Sequence, residues 1–244
     1  MEKSPWRESR MAYRHELKFE ITSSRKKILM DRLSAVMGMD PNAGQKGYFI
    51  RSLYFDDLYD SALLDKLAGV KSRKKYRIRT YNYSKDIIKL ERKKKEGSYI
   101  NKEAASLTGE ELKGILRGDC GFLLKREEDL PKKFYLETVM NGLRPAVVVD
   151  YERIPLVFPG GDVRITFDEH VRTSLFAGDL FARDLPSYEV MPEGKLILEV
   201  KFTEYLPEII RDLLPTEEGS VIAASKYVLC LKKQREMLFH TGEE

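Results

Sequence analysis

Charged and apolar side chains alternate along several short segments, and this pattern constrains the fold more than any other feature of the sequence. In residues 14–21 every second side chain is charged, and those between them are His or apolar. A comparable two-faced pattern recurs at residues 73–80, 87–93, 163–168 and 196–202. Because side chains alternate across a strand, each segment is predicted to be a strand with one apolar and one charged face.

The charged faces carry both acidic and basic side chains, and this bears on whether the sheet is open to water or closed into a barrel. An antiparallel sheet with one face in water would explain any single strand. Five such strands with repeated E-x-K and R-x-R spacing favour a closed antiparallel β-barrel of the α+β class. Its polar faces would point inward and flanking helices would cover its apolar faces. Helices are predicted at residues 23–36, 57–67, 108–116, 207–214 and 220–238.

Composition narrows the class of protein further. The chain has 43 Lys and Arg against 39 Asp and Glu, a net charge of only +4, which argues against a general nucleic-acid-binding protein. Cys120 and Cys230 give neither a disulfide framework nor a zinc motif and suit a reducing compartment. Neither a signal peptide nor an apolar run long enough to span a membrane is found. We therefore expect a cytoplasmic protein folded as one domain over residues 1–244.

Eight short motifs occur in a fixed order along the chain. They are RHELK at 14–18, SLYFD at 52–56, KYRIR at 75–79, KLERK at 89–93, YER at 151–153, VRITFD at 163–168, LEVK at 198–201 and SKY at 225–227. Together they resemble the triphosphate tunnel metalloenzyme superfamily, and most closely its vacuolar transporter chaperone (VTC) branch, the polyphosphate polymerase domain. The resemblance covers nearly the whole chain.

The resemblance also implies roles for individual residues. It assigns phosphate contacts to Lys18, Arg77, Arg79, Lys93, Arg153, Arg164 and Lys226. The candidate catalytic residues among them are Arg77, Arg79, Lys93 and Lys226. Lys75 and Lys201 are further substrate-binding candidates because they lie on the charged faces of their strands. Glu199 matches the family's metal-binding glutamate, and Glu16 and Glu91 are further metal candidates from their place on the inward face.

The activity that the resemblance implies is transfer of the ATP γ-phosphoryl group to a growing polyphosphate chain, with Mn²⁺ or Mg²⁺. Such a transfer needs positioning and charge neutralisation more than a nucleophilic side chain. The hydrolase branch of the superfamily opens with E-x-E-x-K, whereas this chain has Arg14, Glu16 and Lys18 in those positions. The loss of the first carboxylate favours the VTC branch over the hydrolase branch, in which a metal-activated water would attack the phosphate.

Two other function classes stay open at this point. One is an inorganic or nucleoside triphosphatase, which would release phosphate and form no polymer. The other is a non-catalytic module that binds polyphosphate or RNA. RNA is disfavoured because Tyr76 lies on the strand face opposite Arg77 and Arg79, where it cannot stack bases beside those cations. The sequence leaves open whether the chain forms a homodimer.

Overall fold

The structure is a computed structural model that describes residues 14–97, 99–214 and 225–240. Its helices are α1 Ser23–Ser34, α2 Ser61–Leu67, α3 Gly109–Leu116, α4 Asp129–Met140, α5 Glu208–Arg211 and α6 Lys226–His240. Its strands are β1 Arg14–Thr22, β2 Gly38–Met39, β3 Tyr48–Asp56, β4 Ser72–Tyr81, β5 Ile88–Glu96, β6 Tyr99–Leu107, β7 Arg144–Phe158, β8 Val163–Ser174, β9 Tyr188–Glu189 and β10 Lys195–Thr203. The predicted α+β class is confirmed.

One antiparallel sheet contains all the described strands. Its order is β1-β10-β8-β7-β3-β4-β5-β6, with β2 paired to β7 and β9 paired to β8. The register places Lys18 beside Glu199 and places Arg77 beside Glu91, so charged positions of neighbouring strands meet on the same face. The alternation read from the sequence therefore produces one continuous polar face across the sheet.

The sheet is not closed into a barrel, so that part of the prediction is wrong. Within the described residues β1 and β6 form the two edges, and no backbone pairing joins them. The sheet nevertheless curls, since Glu16 of β1 lies 3.3 Å from Lys93 of β5, two strands that are far apart in the sheet order. Long charged side chains meet along this seam.

The apolar face of the sheet is covered by helices, as predicted. Leu29 and Leu33 of α1 are fully buried against the apolar side chains of β1, β8 and β10. Leu112 of α3 and Phe134 of α4 pack against β3, β4, β5 and β6 in a second cluster. Burial of these side chains, worth about 1.5–3 kcal/mol each, fixes which face of the sheet is left for the polar residues.

Helix α6 lies on the opposite, polar face, which the sequence did not predict. Its Tyr227, Cys230 and Leu231 are buried against side chains such as Val149 and Ile197. The helix predicted at residues 220–238 begins outside the described residues, and its described part is α6. None of the helices in the described ranges is long and apolar enough to cross a membrane.

Candidate functional site

Glu199 of β10 lies at the centre of the polar face and contacts four cations. Its carboxylate is 2.6 Å from Lys201 Nζ, 2.9 Å from Lys226 Nζ, 3.4 Å from Arg153 Nη2 and 3.5 Å from Lys18 Nζ. The residue is only 5% exposed. Burial opposes ionisation, but Lys226, Lys201 and Lys18 outweigh it and hold the pKa of Glu199 well below its usual value.

Asp168 of β8 is a second buried carboxylate in the same cluster. Arg153 donates two hydrogen bonds to it, from Nε at 2.6 Å and from Nη2 at 2.7 Å, and Lys226 Nζ lies 2.5 Å away. Burial raises the pKa of Asp168, but Arg153 and Lys226 lower it further than burial raises it. Asp168 lies on the charged face predicted for residues 163–168, but its partners come from β7 and α6 and could not be predicted from its own strand.

We name this cluster the carboxylate centre; it comprises Glu199, Asp168, Lys18, Lys201, Arg153 and Lys226. Tyr151 of β7 lies against it, with its ring centroid 5.0 Å from Lys226 Nζ and 5.1 Å from the Arg153 guanidinium. Its hydroxyl accepts a hydrogen bond from Arg79 Nη2 at 3.3 Å. Tyr151 was not among the predicted site residues, although the YER motif contains it. The tyrosine connects the carboxylate centre to the cations of β4.

Arg77 and Arg79 of β4 form the next part of the polar face. Arg77 Nε donates to Glu91 at 2.6 Å, and Arg77 Nη1 donates to the Tyr54 hydroxyl at 2.8 Å. Arg79 Nε donates to Ser52 Oγ at 3.2 Å and Arg79 Nη1 lies 3.9 Å from Glu91. Both guanidinium groups are therefore aimed along the polar face by hydroxyl and carboxylate partners.

Glu16 connects the two sides of the curled sheet. It lies 3.3 Å from Lys93, 3.4 Å from Lys18 and 3.9 Å from Lys201. Burial would raise the pKa of Glu16, but Lys18, Lys93 and Lys201 lower it to about 2. The carboxylate is thus ionised at neutral pH and attracts cations from β1, β5 and β10 into one region.

Two of the predicted substrate-binding residues lie outside these clusters. Arg164 of β8 is 2.8 Å from Asp40 and donates to the Tyr48 hydroxyl at 3.0 Å, while its Nε is buried without a partner. Lys75 of β4 lies with its Nζ 4.3 Å from the centroid of the Tyr227 ring. The structure thus brings together all the predicted cations except Arg164 and Lys75, which lie farther along the same face.

The comparison with protein families decides the classification. The model of the VTC domain matches residues 13–234, nearly the whole chain. The chain belongs to the VTC domain family. This result confirms the resemblance drawn from the eight motifs, which contribute the ion-paired residues of the carboxylate centre of this VTC domain.

Solved structures resemble this VTC domain only in part. The PH1819 protein from Pyrococcus horikoshii is 16% identical, with a TM-score of 0.47, over 91% of this chain and 99% of that chain. A putative adenylate cyclase from Bacillus halodurans is 13% identical, with a TM-score of 0.48, over 85% of this chain and 94% of that chain. A search of curated protein sequences finds no significant match. The family assignment rests on the family model.

The carboxylates of this VTC domain could supply only some of the ligands that a divalent cation needs. Within the described ranges, no three or more His, Cys, Asp or Glu side chains form a group that could hold a metal ion. Glu16 and Glu199 are nevertheless neighbours, since both contact Lys18 and Lys201. Mg²⁺ is commonly held by one or two carboxylates together with substrate phosphates. Cations engage all three candidate carboxylates, Glu91 through Arg77 and the other two through shared lysines. Glu16 and Glu199 would hold a divalent cation only after those lysines are displaced.

Proposed function

We propose that this VTC domain binds the phosphates of ATP and of linear polyphosphate on its polar face and transfers the ATP γ-phosphoryl group to polyphosphate, with Mn²⁺ or Mg²⁺. The observation that carries the proposal is the convergence of cations from separate strands and from α6 onto one curled face. The ion pair between Glu16 and Lys93 supports a tunnel in which side chains bridge the seam between β1 and β6. Membership of the VTC domain family supports the same activity.

The ion pairs of the polar face suggest how a phosphate chain would be accommodated. Phosphate oxygens compete with carboxylates for guanidinium and ammonium groups, and arginine binds them in pairs. Arg77 and Lys93, now paired with Glu91 and Glu16, would exchange those carboxylates for phosphate. The exchange would remove one of the three lysines that contact Glu16. A divalent cation held by Glu16 and Glu199 would then neutralise phosphate oxygens. The buried carboxylate centre would keep Lys226 and Arg153 fixed in position.

The proposed phosphoryl transfer needs no nucleophilic side chain. The reaction depends on alignment of the two phosphates and on neutralisation of the charge that spreads over the transferred group. Arg77 and Arg79 stand side by side and are oriented by Tyr54, Ser52 and Tyr151. Their role in the proposal is to hold the transferred phosphoryl group between the donor and the acceptor.

The test is incubation of the protein with ATP and Mn²⁺, with free phosphate and polymer length measured together. Arg79→Ala should abolish polymer formation, because the substitution removes a guanidinium from the polar face. Lys94→Ala is the matched control, since Lys94 is on β5 but faces away from Lys93 and is 40% exposed. Thermal melting of each variant shows whether it is folded.

Each outcome of this experiment has a distinct meaning. Polymer formed by the parent protein and Lys94→Ala, but not by Arg79→Ala, supports the proposed transfer. Phosphate release without polymer would replace the proposal with a triphosphatase. Tight binding of polyphosphate without either product would leave a binding module. Neither binding nor product would refute the assignment of the polar face to phosphate.

A further inference from the structure

Four cations near the open end of the β4–β5 hairpin form no ion pair with a carboxylate of the described ranges. We name them the outer cation cluster: Lys66 of α2, Arg73 and Lys75 of β4, and Lys95 of β5. Arg73 donates to the backbone carbonyl of Val70 at 2.6 Å, and none of the four makes an ion pair with a described Asp or Glu. The cations of the carboxylate centre, in contrast, each have at least one acidic partner.

The elements that carry the outer cation cluster are held in place by Asp56. Its carboxylate accepts hydrogen bonds from the backbone N–H groups of Ala62 at 2.8 Å and Leu63 at 3.2 Å, at the start of α2. It also accepts one from the Tyr227 hydroxyl of α6 at 2.5 Å. Lys75 rests above the ring of the same tyrosine. The carboxylate of Asp56 is therefore used to fix α2 against α6, and the cluster is built on ordered elements.

The cations of the cluster repel one another and their neighbours. Burial lowers the pKa of Lys75 to about 7, with Lys66 and Arg73 adding to the effect. Burial also lowers the pKa of Lys66, and cations that include Arg73, Lys18 and Lys93 lower it further. A bound anion would relieve this repulsion. Lys18 belongs to the carboxylate centre and Lys93 contacts Glu16, so the positive potential of the cluster extends to the proposed phosphate site.

The spacing of the cluster suits a chain of negative charges. Arg73 and Lys75 are two residues apart on one strand, which separates them by roughly 6.5 Å. Lys95 is opposite Arg73 in the register of β4 and β5, and Lys66 lies nearby on α2. A flexible anion with regularly repeated charges can contact several of these groups at once.

We propose that the outer cation cluster binds the phosphate groups of linear polyphosphate that extend beyond the interior site, and so makes the protein prefer long chains to triphosphate. The inference rests on the proposed function, because the interior site must first bind part of the same chain. It adds Lys66, Arg73 and Lys95, which lie outside the eight motifs, to the substrate-binding residues. The outer cluster then determines chain-length preference, and the interior cations determine binding of the first phosphates.

The experiment compares the affinities of two ligands, tripolyphosphate and long linear polyphosphate, in three proteins. The double variant Lys66→Met with Lys95→Met should bind long polyphosphate about tenfold more weakly or worse, which corresponds to about 1.4 kcal/mol. Its affinity for tripolyphosphate should stay within about twofold of the parent value. Lys94→Met removes a cation from the outer side of β5 and should change the preference little.

The outcomes separate this inference from the proposed function. A selective loss of long-chain affinity in the double variant supports the cluster as a chain-length site. Equal loss for both ligands, or no loss for either, overturns it while the interior site stands. If the parent protein binds neither ligand, both proposals are wrong. The thermal melting temperature of the double variant, expected to be no lower than that of the parent, shows that the comparison is made on folded protein.

Discussion

Replacement of Lys75 by methionine should stabilise the protein at neutral pH. Burial, Lys66 and Arg73 lower the pKa of Lys75 from 10.5 to about 7, and Asp56 only partly opposes this. A shift of about 3.5 units corresponds to at most about 5 kcal/mol. Solvent screening and relaxation of a flexible side chain reduce this figure, so we expect a gain of about 1–2 kcal/mol in the free energy of unfolding. Methionine fills a similar volume over the Tyr227 ring.

The dependence on pH has a definite sign. Because the folded-state pKa of Lys75 is below its unfolded value, the protonated ammonium destabilises the folded protein. The penalty is fully present below about pH 7 and disappears as the pH rises towards 10.5. The stability gained by Lys75→Met should therefore be largest at pH 6–7 and close to zero near pH 10.5.

The assay is chemical denaturation of both proteins across this pH range. Lys226→Met supplies a comparison of opposite sign, because Lys226 contacts Asp168 and Glu199 in a buried cluster. Loss of that ammonium should cost about 3–5 kcal/mol, since two buried carboxylates would then depend on the remaining cations. A gain for Lys75→Met that does not change with pH, or a loss of stability, would refute the reasoning.

Three further substitutions test individual contacts of the fold, each by chemical denaturation. Tyr227→Phe should cost about 1.5–3 kcal/mol because it removes the hydrogen bond to the charged Asp56; a negligible change would contradict that bond. Thr108→Ala should cost about 1 kcal/mol, since it removes the capping box of α3, and a cost near zero would count against the cap. Gly47→Ala should cost about 2–4 kcal/mol, because Gly47 has φ +81° and an added Cβ would lie 2.1 Å from the Arg153 carbonyl oxygen. A fully stable Gly47→Ala protein would show that β7 can move away there.

Strand parity predicted which side chains share the polar face, because alternation is a local property of each strand. Lys18 and Glu199 were placed correctly for that reason, and the register then made them neighbours. Closure could not be predicted in the same way, since it depends on how far the whole sheet curls. The strand Tyr99–Leu107 was missed because its sequence lacks a regular alternation. Helix Asp129–Met140 was missed as well; its Pro131 lies in the first turn, where proline is tolerated.

The partners within the site were harder to predict than its members. Asp168 is fixed by Arg153 from the neighbouring strand and by Lys226 from a helix that packs on the polar face. Neither contact has a signature in the sequence around Asp168. Lys66 carries no strand parity at all, and only the position of α2 beside β4 reveals its relation to Lys75. Distances of this kind arise from tertiary packing, which a local pattern does not contain.

The placement of α6 on the polar face links the assembly of the site to the order in which the ribosome makes it. Glu199 receives Lys18 from the first described strand and Lys226 from the last described helix. Chains emerge from the ribosome amino end first, so the sheet can form while Asp168 and Glu199 still lack Lys226. At that stage Asp168 is paired with Arg153, and Glu199 with Lys18, Lys201 and Arg153. The nascent chain acquires the last cation of the carboxylate centre, and with it the complete polar face, only when translation has passed α6.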